Sequence, residues 1–104
     1  MTTQAKKGQP IVSALKAVAA TATPEALSAS HEFVEWVVIQ ALLGNTSTFL
    51  MVGDSNVDLT TELGVKLAKG NTVTLNGVYL DEIFVDVGTN GDGVAITYKE
   101  TRKL

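Results

Sequence analysis

The chain has 104 residues, a common length for one domain, and its 11 acidic and 8 basic residues give a formal net charge of −3. It contains no cysteine, which excludes disulfides, thiol catalysis and cysteine-ligated metal sites. Its one histidine, His31, excludes a multi-histidine metal centre within a single chain. The negative charge argues against a dedicated nucleic-acid-binding protein, and no apolar run is long enough to span a membrane.

The basic residues are concentrated at the two ends of the chain. The first 16 residues carry three lysines and no acid, and the last six carry three basic residues and one acid. The middle, residues 17–98, has ten acids and two lysines, which leaves a charge of −8. The ends are either solvated tails or arms that dock on an acidic neighbour, such as another copy of this chain. We predict a flexible basic arm at residues 1–10 and a single domain at residues 11–104.

The first half of the domain contains three predicted strands. Residues 12–23, VSALKAVAATAT, fit an Ala-rich helix as well as an alternating strand, and their Thr-rich end favours the strand. The segment FVEWVVIQALL, which starts at Phe33, is apolar on both alternating faces. This pattern predicts a central strand buried on both sides, with Trp36 in the core. Gly44-Asn45 then predicts a turn, and STFLMV predicts the next strand.

The second half of the domain alternates short apolar runs with turn residues. GVKLAKGNTVTL predicts two strands about a turn at Gly70-Asn71, and Asn76-Gly77 predicts a further tight turn. EIFVDV and VAITY, which TNGDG joins, predict a β-hairpin. Seven or eight short strands at this spacing predict an all-β fold, an antiparallel β-sandwich that is jelly-roll-like.

Two oxygen-rich stretches have part of the spacing of a calcium-binding loop. In DSNVD, Asp54 to Asp58, alternate oxygen side chains suit a hard cation, but Leu59 and Val65 replace the required Gly and closing Glu. In DVGTNGDG, Asp86 to Gly93, the closing position is Thr97. We predict a turn in the first stretch, because Asp and Asn cap their own backbone, and a hairpin turn in the second, because Gly91 and Gly93 accept positive φ.

No combination of acid, base and nucleophile in the sequence indicates catalysis. His31 lies in the polar stretch SASHE and is predicted to be a surface residue. Glu32 and Glu35 would point to opposite faces of a strand, and Asp81 and Glu82 would diverge in the same way. We predict that the protein is not an enzyme and uses no cofactor.

The order of turns and strands in roughly the last 60 residues resembles that of small structural proteins of tailed bacteriophages. Each motif alone is only a turn signal, and the resemblance comes from the order in which the motifs follow one another. The matching features are the Gly44-Asn45 turn, the strand ending in Val52-Gly53, the turn Asp54 to Val57, the segment Gly64 to Leu75 and the final segment Ile83 to Tyr98.

This resemblance implies a β-sandwich component of the virion, made in the host cytoplasm. It implies first a head decoration (cement) protein that binds the major capsid protein as a homo-oligomer, commonly a trimer. A mean hydropathy of +0.21 is compatible with apolar surface that a partner covers. The alternatives are a neck, tail or baseplate adaptor, and a carbohydrate-binding module on the virion surface that uses Trp36. The candidate partner contacts are Lys6, Lys7, Arg102, Lys103 and Trp36.

Overall fold

The computed structural model describes residues 11–101, which form eight β-strands joined by turns and loops. A single turn of 3-10 helix, Leu80–Glu82, connects the sixth and seventh strands. The first segment is extended and not helical, as the Thr-rich end favoured. The strands are β1 (Ile11–Ala17), β2 (Glu25–Ala26), β3 (Phe33–Ala41), β4 (Phe49–Gly53), β5 (Val65–Ala68), β6 (Thr72–Tyr79), β7 (Phe84–Val87) and β8 (Gly93–Glu100).

The strands form two four-stranded antiparallel sheets in the order of a jelly roll. Sheet A has the order β1-β8-β3-β6, and sheet B has the order β2-β7-β4-β5. Each strand except β4 is followed along the chain by a strand of the opposite sheet, so the two sheets are wound together. The predicted all-β, antiparallel β-sandwich of jelly-roll type is confirmed.

The core lies between the two sheets and consists almost entirely of β-branched and leucine side chains. Alternate residues of β4 and β7 point inward from sheet B, and alternate residues of β8 do so from sheet A. Each fully buried side chain of this size contributes about 1.5–3 kcal/mol of hydrophobic free energy. The largest fully buried side chains of this core are Val18, Val34, Val37, Ile39, Leu50, Val52, Leu80, Val85, Val87 and Val94.

A β-bulge in β3 decides which of its residues face the core. Val34 and Val37 are both fully buried, although residues three apart point to opposite faces of a regular strand. The register against β8 shifts between them, so that Glu35 and Trp36 together stand opposite the single residue Lys99. The prediction of a strand buried on both sides, with Trp36 in the core, is therefore wrong. Trp36 is half-buried on the outside of sheet A.

The pair Asn76-Gly77 lies inside β6 and does not form the predicted turn. An Asn-Gly pair predicts a turn because both residues accept a positive φ, and Gly77 does have a φ of 62°. Gly77 adopts this conformation within β6, next to the bulge of β3, so here the positive φ belongs to an irregular strand and not to a turn. The other two predicted turns are present, where Asn45 N–H donates to Leu42 O and Asn71 N–H donates to Ala68 O.

The predicted hairpin between EIFVDV and VAITY is also wrong, because β7 belongs to sheet B and β8 to sheet A. Both segments are strands, but the chain crosses between the sheets at the TNGDG stretch. Polar contacts with the β3–β4 connection fix this crossing: the Asp92 carboxylate accepts from the N–H groups of Thr46 and Ser47 at 2.8 and 2.9 Å. These contacts join residues more than 40 positions apart, which no local pattern reveals.

The two sheets differ in how their outer surfaces are covered. The long β4–β5 loop, residues 54–64, folds over sheet B, and there Leu59 N–H donates to Asp86 Oδ2 at 2.8 Å. Met51 and Asp86 are consequently buried although they point away from the core. No element among residues 11–101 covers the outside of sheet A in this way. Outward-pointing residues in the middle of that sheet remain partly exposed, for example Val38 and Gln40 on β3 and Thr97 on β8.

Candidate functional site

The strand register brings one residue set together as the outer face of sheet A. Its members come from all four strands of the sheet, and the hydroxyls of Ser13 and Thr97 approach to 3.0 Å across neighbouring strands of this face. Trp36 is the sole predicted contact residue that falls within residues 11–101, and it lies on this face. The outer face of sheet A consists of Ile11, Ser13, Leu15, Ala17, Glu35, Trp36, Val38, Gln40, Thr72, Thr74, Asn76, Ala95, Thr97 and Lys99.

The outer face of sheet A carries almost no charge. Its two ionic side chains, Lys99 and Glu35, stand 3.6 Å apart and neutralise one another. The remaining members are hydroxyl, amide, small and apolar residues, among which the side chains of Ile11 and Leu15 are 56% and 75% exposed. Globular proteins normally spread charges of both signs over their surface, so a neutral face with exposed apolar residues is the kind of surface that partners cover.

The predicted basic contacts fall outside the residues that the structure describes. Lys6, Lys7, Arg102 and Lys103 belong to residues 1–10 and 102–104, and the predicted arm at residues 1–10 lies there as well. Within the described range, Lys16 is bound to Glu25, Nζ to Oε1, at 2.7 Å. This ion pair joins β1 of sheet A to β2 of sheet B, and it closes that side of the sandwich.

A second candidate is an open cleft of about 450 Å³ where β3 begins and β6 and β8 end. Three rings lie along it. The imidazole of His31 is stacked parallel on the Tyr79 ring with the ring centres 4.0 Å apart, and Phe33 meets Tyr79 edge-to-face at 5.4 Å. We name it the corner cleft, and its lining residues are His31, Glu32, Phe33, Tyr79 and Thr101.

His31 at the corner cleft is paired with the 3-10 helix. Its Nδ1 lies 3.0 Å from both carboxylate oxygens of Asp81, and its side chain is 59% exposed, as predicted for a surface residue. Asp81 and Glu82 do not diverge as predicted, because they lie on a helical turn: one ligand atom each from His31, Asp81 and Glu82 falls within 4.8 Å of the others. These donors suit a divalent cation, but His31 and Asp81 already satisfy one another as an exposed pair.

Two carboxyl groups meet near the corner cleft. Burial, followed by repulsion from Glu100 and a hydrogen bond to the Glu100 carboxyl, raises the pKa of Glu32. Burial, followed by the negative charges of Glu32 and Glu100, also raises the pKa of Tyr98. Sequence reasoning missed this cluster, because Glu32 and Glu100 lie on chain segments that only the β3–β8 pairing brings together.

DSNVD is a turn, as predicted, whereas the second stretch is not the predicted hairpin turn but the crossing from sheet B to sheet A. In DSNVD, Asp54 Oδ1 accepts from Asn56 N–H and Asp58 Oδ1 accepts from Thr60 N–H, both at 2.9 Å, so each carboxylate caps its own backbone. In the second stretch the oxygens point to different partners: Asn90 Oδ1 accepts from Thr21 N–H, while Asp92 binds the β3–β4 connection. These contacts account for Asp54, Asp58 and Asp92 as structural residues. Asp86 accepts from Leu59 N–H through Oδ2, while its buried Oδ1 has no hydrogen-bond partner among residues 11–101.

Comparisons of this chain with protein-family models, with curated proteins and with solved structures found no match. Among residues 11–101 no helix is long and apolar enough to cross a membrane.

Proposed function

We propose that this protein is a non-enzymatic structural protein that binds a larger assembly through the outer face of sheet A. The neutral character of that face on a chain of net charge −3 carries the proposal. Partner surfaces are depleted in charge at their centre and enriched in aromatic residues, and Trp36 and Val38 occupy the middle of the face.

The assembly in this proposal is a tailed-phage capsid, which the protein decorates as a homo-oligomer bound to the major capsid protein in the virion. Its support is the resemblance of the turn and strand order from Gly44 to Tyr98 to that of phage structural proteins. A jelly roll alone hosts many functions and does not favour one of them. The basic ends add a second contact in this proposal, with Lys6, Lys7, Arg102 and Lys103 gripping acidic capsid surface.

Co-sedimentation with empty phage capsids tests the proposal. We expect Thr74→Lys, which places an unpaired charge on the outer face of sheet A, to weaken capsid binding by about tenfold or more. Thr60→Lys is the matched control, because Thr60 is equally a surface threonine but lies in the β4–β5 loop. No binding by the unmodified protein, or equal binding by both variants, would contradict the proposal.

A separate variant tests the basic ends. Replacing Lys6, Lys7, Arg102 and Lys103 together with Ser removes four positive charges without touching residues 11–101. We expect weaker capsid occupancy and a weaker dependence of binding on salt, because fewer ion contacts remain to be screened. Unchanged occupancy would exclude the ends as contacts and leave the sheet face as the docking surface.

The corner cleft favours one second candidate, a carbohydrate-binding module. Exposed aromatic rings beside carboxylates are a common surface for sugar stacking, and His31, Phe33 and Tyr79 provide the rings here. Trp36, the residue that the sequence suggested for this role, lies instead on the outer face of sheet A. Oligosaccharide titration that perturbs Tyr79 resonances, without capsid binding, would favour this candidate. A larger ring in solution that ignores capsids would favour a neck, tail or baseplate adaptor.

A further inference from the structure

Within residues 11–101 the sandwich has four sheet edges, and three of them are protected against pairing with another chain. The β2 edge is only two residues long. The β5 edge has four residues and carries Lys66, whose ammonium lies over the Phe49 ring at 4.2 Å. The β6 edge is kinked at Gly77, where φ is 62°. Short length, lysine and bulges are the devices by which natural edge strands avoid pairing.

The fourth edge, β1, is neither short nor interrupted by a bulge. All seven of its residues pair with β8 in one unbroken register, from Ile11 opposite Lys99 to Ala17 opposite Gly93. Its one charged residue, Lys16, faces the interior side, where Glu25 holds its ammonium. The β1 edge is therefore long, regular and neutral, and it presents the exposed side chains of Ile11 and Leu15.

The hydrogen-bond alternation shows which backbone groups the β1 edge presents. Val18 N–H donates to Asp92 O, and Leu42 N–H donates to Gly93 O. Because the backbone groups of successive residues point to opposite sides of a strand, the N–H and C=O of Gly93 point toward β3 and those of Val94 point toward β1. In an antiparallel ladder this places the N–H and C=O groups of Val12, Ala14 and Lys16 toward β8. The same groups of Ile11, Ser13, Leu15 and Ala17 point away from the sheet, with no partner among residues 11–101.

We propose that β1 pairs antiparallel with β1 of a second copy, about a two-fold axis at Ala14. In this register Ile11 stands opposite Ala17 and Ser13 opposite Leu15 of the other copy, so all four outward-pointing residues form backbone hydrogen bonds. The pairing creates about eight such bonds and joins the two A sheets into one eight-stranded sheet.

The side chains of β1 are complementary to themselves in this register. On the outer face each large apolar residue meets a small one, since Leu15 faces Ser13 and Ile11 faces Ala17. On the inner face Lys16 faces Val12, so the two lysines of the pair do not meet. Moving the register by two residues in either direction would leave one of the four outward-pointing residues without a partner from β1, so the axis at Ala14 pairs the largest number of β1 residues.

This inference deepens the homo-oligomer of the proposed function, because it names the surface by which copies meet. The resemblance implies a trimer, whereas an edge of this kind forms a two-fold pair. Self-association is measured without capsids, so its failure and the failure of capsid binding are separate results.

Mass in solution, measured by light scattering over a range of concentrations, gives the first test. We expect a dimer, and we expect Ser13→Pro to weaken it by about tenfold or more, because proline removes an edge N–H from each copy. Ser13→Ala is the matched control: it loses the same hydroxyl contact with Thr97 but keeps the N–H. A monomer, or a trimer that Ser13→Pro leaves intact, would overturn the proposal.

A disulfide test reports the register itself. The chain has no cysteine, so a single introduced thiol gives an unambiguous product. Ala14→Cys would face its own copy across a non-hydrogen-bonded pair, where side chains are closest, and we expect rapid oxidation to a covalent dimer. Leu15→Cys would face Ser13 of the other copy and should oxidise at least tenfold more slowly. Equal rates for the two variants would overturn the register.

Discussion

The carboxamide of Asn45 pairs with both backbone groups of Gly93. Its Nδ2 donates to the Gly93 carbonyl and its Oδ1 accepts from the Gly93 N–H, each at 2.9 Å. Asn45 is buried in the β3–β4 connection, and Gly93 is the first residue of β8, so this pair joins two of the connections at which the chain crosses between the sheets. The neighbouring Asp92 binds the same connection, and together the contacts replace the backbone hydrogen bonds that strands lose where they end.

Asn45→Ala should cost about 1–3 kcal/mol of unfolding free energy, because it leaves the buried N–H of Gly93 without a partner and leaves the Gly93 carbonyl with only the N–H of Leu42. Urea denaturation followed by circular dichroism measures the loss. Asn90→Ala is the control, since Asn90 is exposed and makes one hydrogen bond to Thr21, and we expect it to cost less than about 1 kcal/mol. Similar losses for the two variants would show that the Asn45 pair has no special role.

Gly93→Ala should destabilise the protein by about 3 kcal/mol or more and detach β1 from β8. A Cβ at Gly93 would overlap the carbonyl oxygen of Lys16 and lie 2.8 Å from the Cα of Ala17, and backbone atoms cannot move aside cheaply. Gly44→Ala is the control, because an added Cβ there has no neighbour within 4 Å. Hydrogen exchange of the β1 and β8 amides distinguishes local detachment from global unfolding, and wild-type protection in Gly93→Ala would contradict the prediction.

Glu25→Gln should lower stability at neutral pH by up to about 1 kcal/mol, because the ion pair with Lys16 is partly exposed. The hydrogen bond from Lys16, with further help from Ala19 N–H, lowers the pKa of Glu25 below its ordinary value of 4.5. A lowered pKa gives stability that is present above the unfolded-state pKa and is lost as the pH falls through the folded-state pKa. The melting temperatures of the wild type and the variant should therefore differ at pH 7 and converge in acid; a constant difference across this range would contradict the assignment.

Local sequence patterns predict seven of the eight strands, all but the two-residue β2, and most turns, but not the partners of the strands. Alternating apolar residues identify β8 correctly, for example, while nothing near Asp92 shows that the chain changes sheet there. The bulge at Glu35 and Trp36 likewise depends on Lys99 and Gly77, which are distant in sequence. A shift of one residue reverses the face of every residue on that side of it, which is how Val34 and Val37 both come to face the core. The prediction of Trp36 in the core rests instead on the apolar character of both faces of its segment.

The same holds for the candidate sites: the sequence shows the residue types, but not the neighbours that they meet in the fold. Trp36 is recognisable from sequence as a potential contact, but its neutral surroundings come from four strands that only the fold brings together. The pair of His31 and Asp81 spans 50 residues, and no spacing in the sequence indicates it. Charge distribution along the chain identified the basic ends and could not identify a neutral face.

Trp36 provides an intrinsic reporter of the outer face of sheet A, because it is the only tryptophan of the chain. It is half-buried, so the free protein should emit at a wavelength between those of exposed and enclosed indoles and be quenched by acrylamide. Capsid binding through this face should shift the emission to shorter wavelength and reduce quenching, since the indole loses water. An unchanged spectrum on bound particles would place the contact elsewhere.

Glu32→Gln should raise stability at neutral pH, and the gain should disappear in acid. Burial and the Glu100 carboxyl raise the pKa of Glu32, so the folded protein holds a proton there more tightly than the unfolded chain does. The folded state therefore binds more protons over this range, and stability falls as the pH rises through it; the full cost is present above the folded-state pKa. Glutamine keeps the shape without the charge and should recover up to about 1 kcal/mol at pH 7.

Glu35→Gln is the matched control: it removes a carboxylate of β3 that faces Lys99, so it should lower stability or leave it unchanged. Melting curves of the three proteins from acid to neutral pH decide the matter, and a Glu32→Gln variant that is less stable than the wild type at pH 7 would show that the two carboxyls are not in conflict.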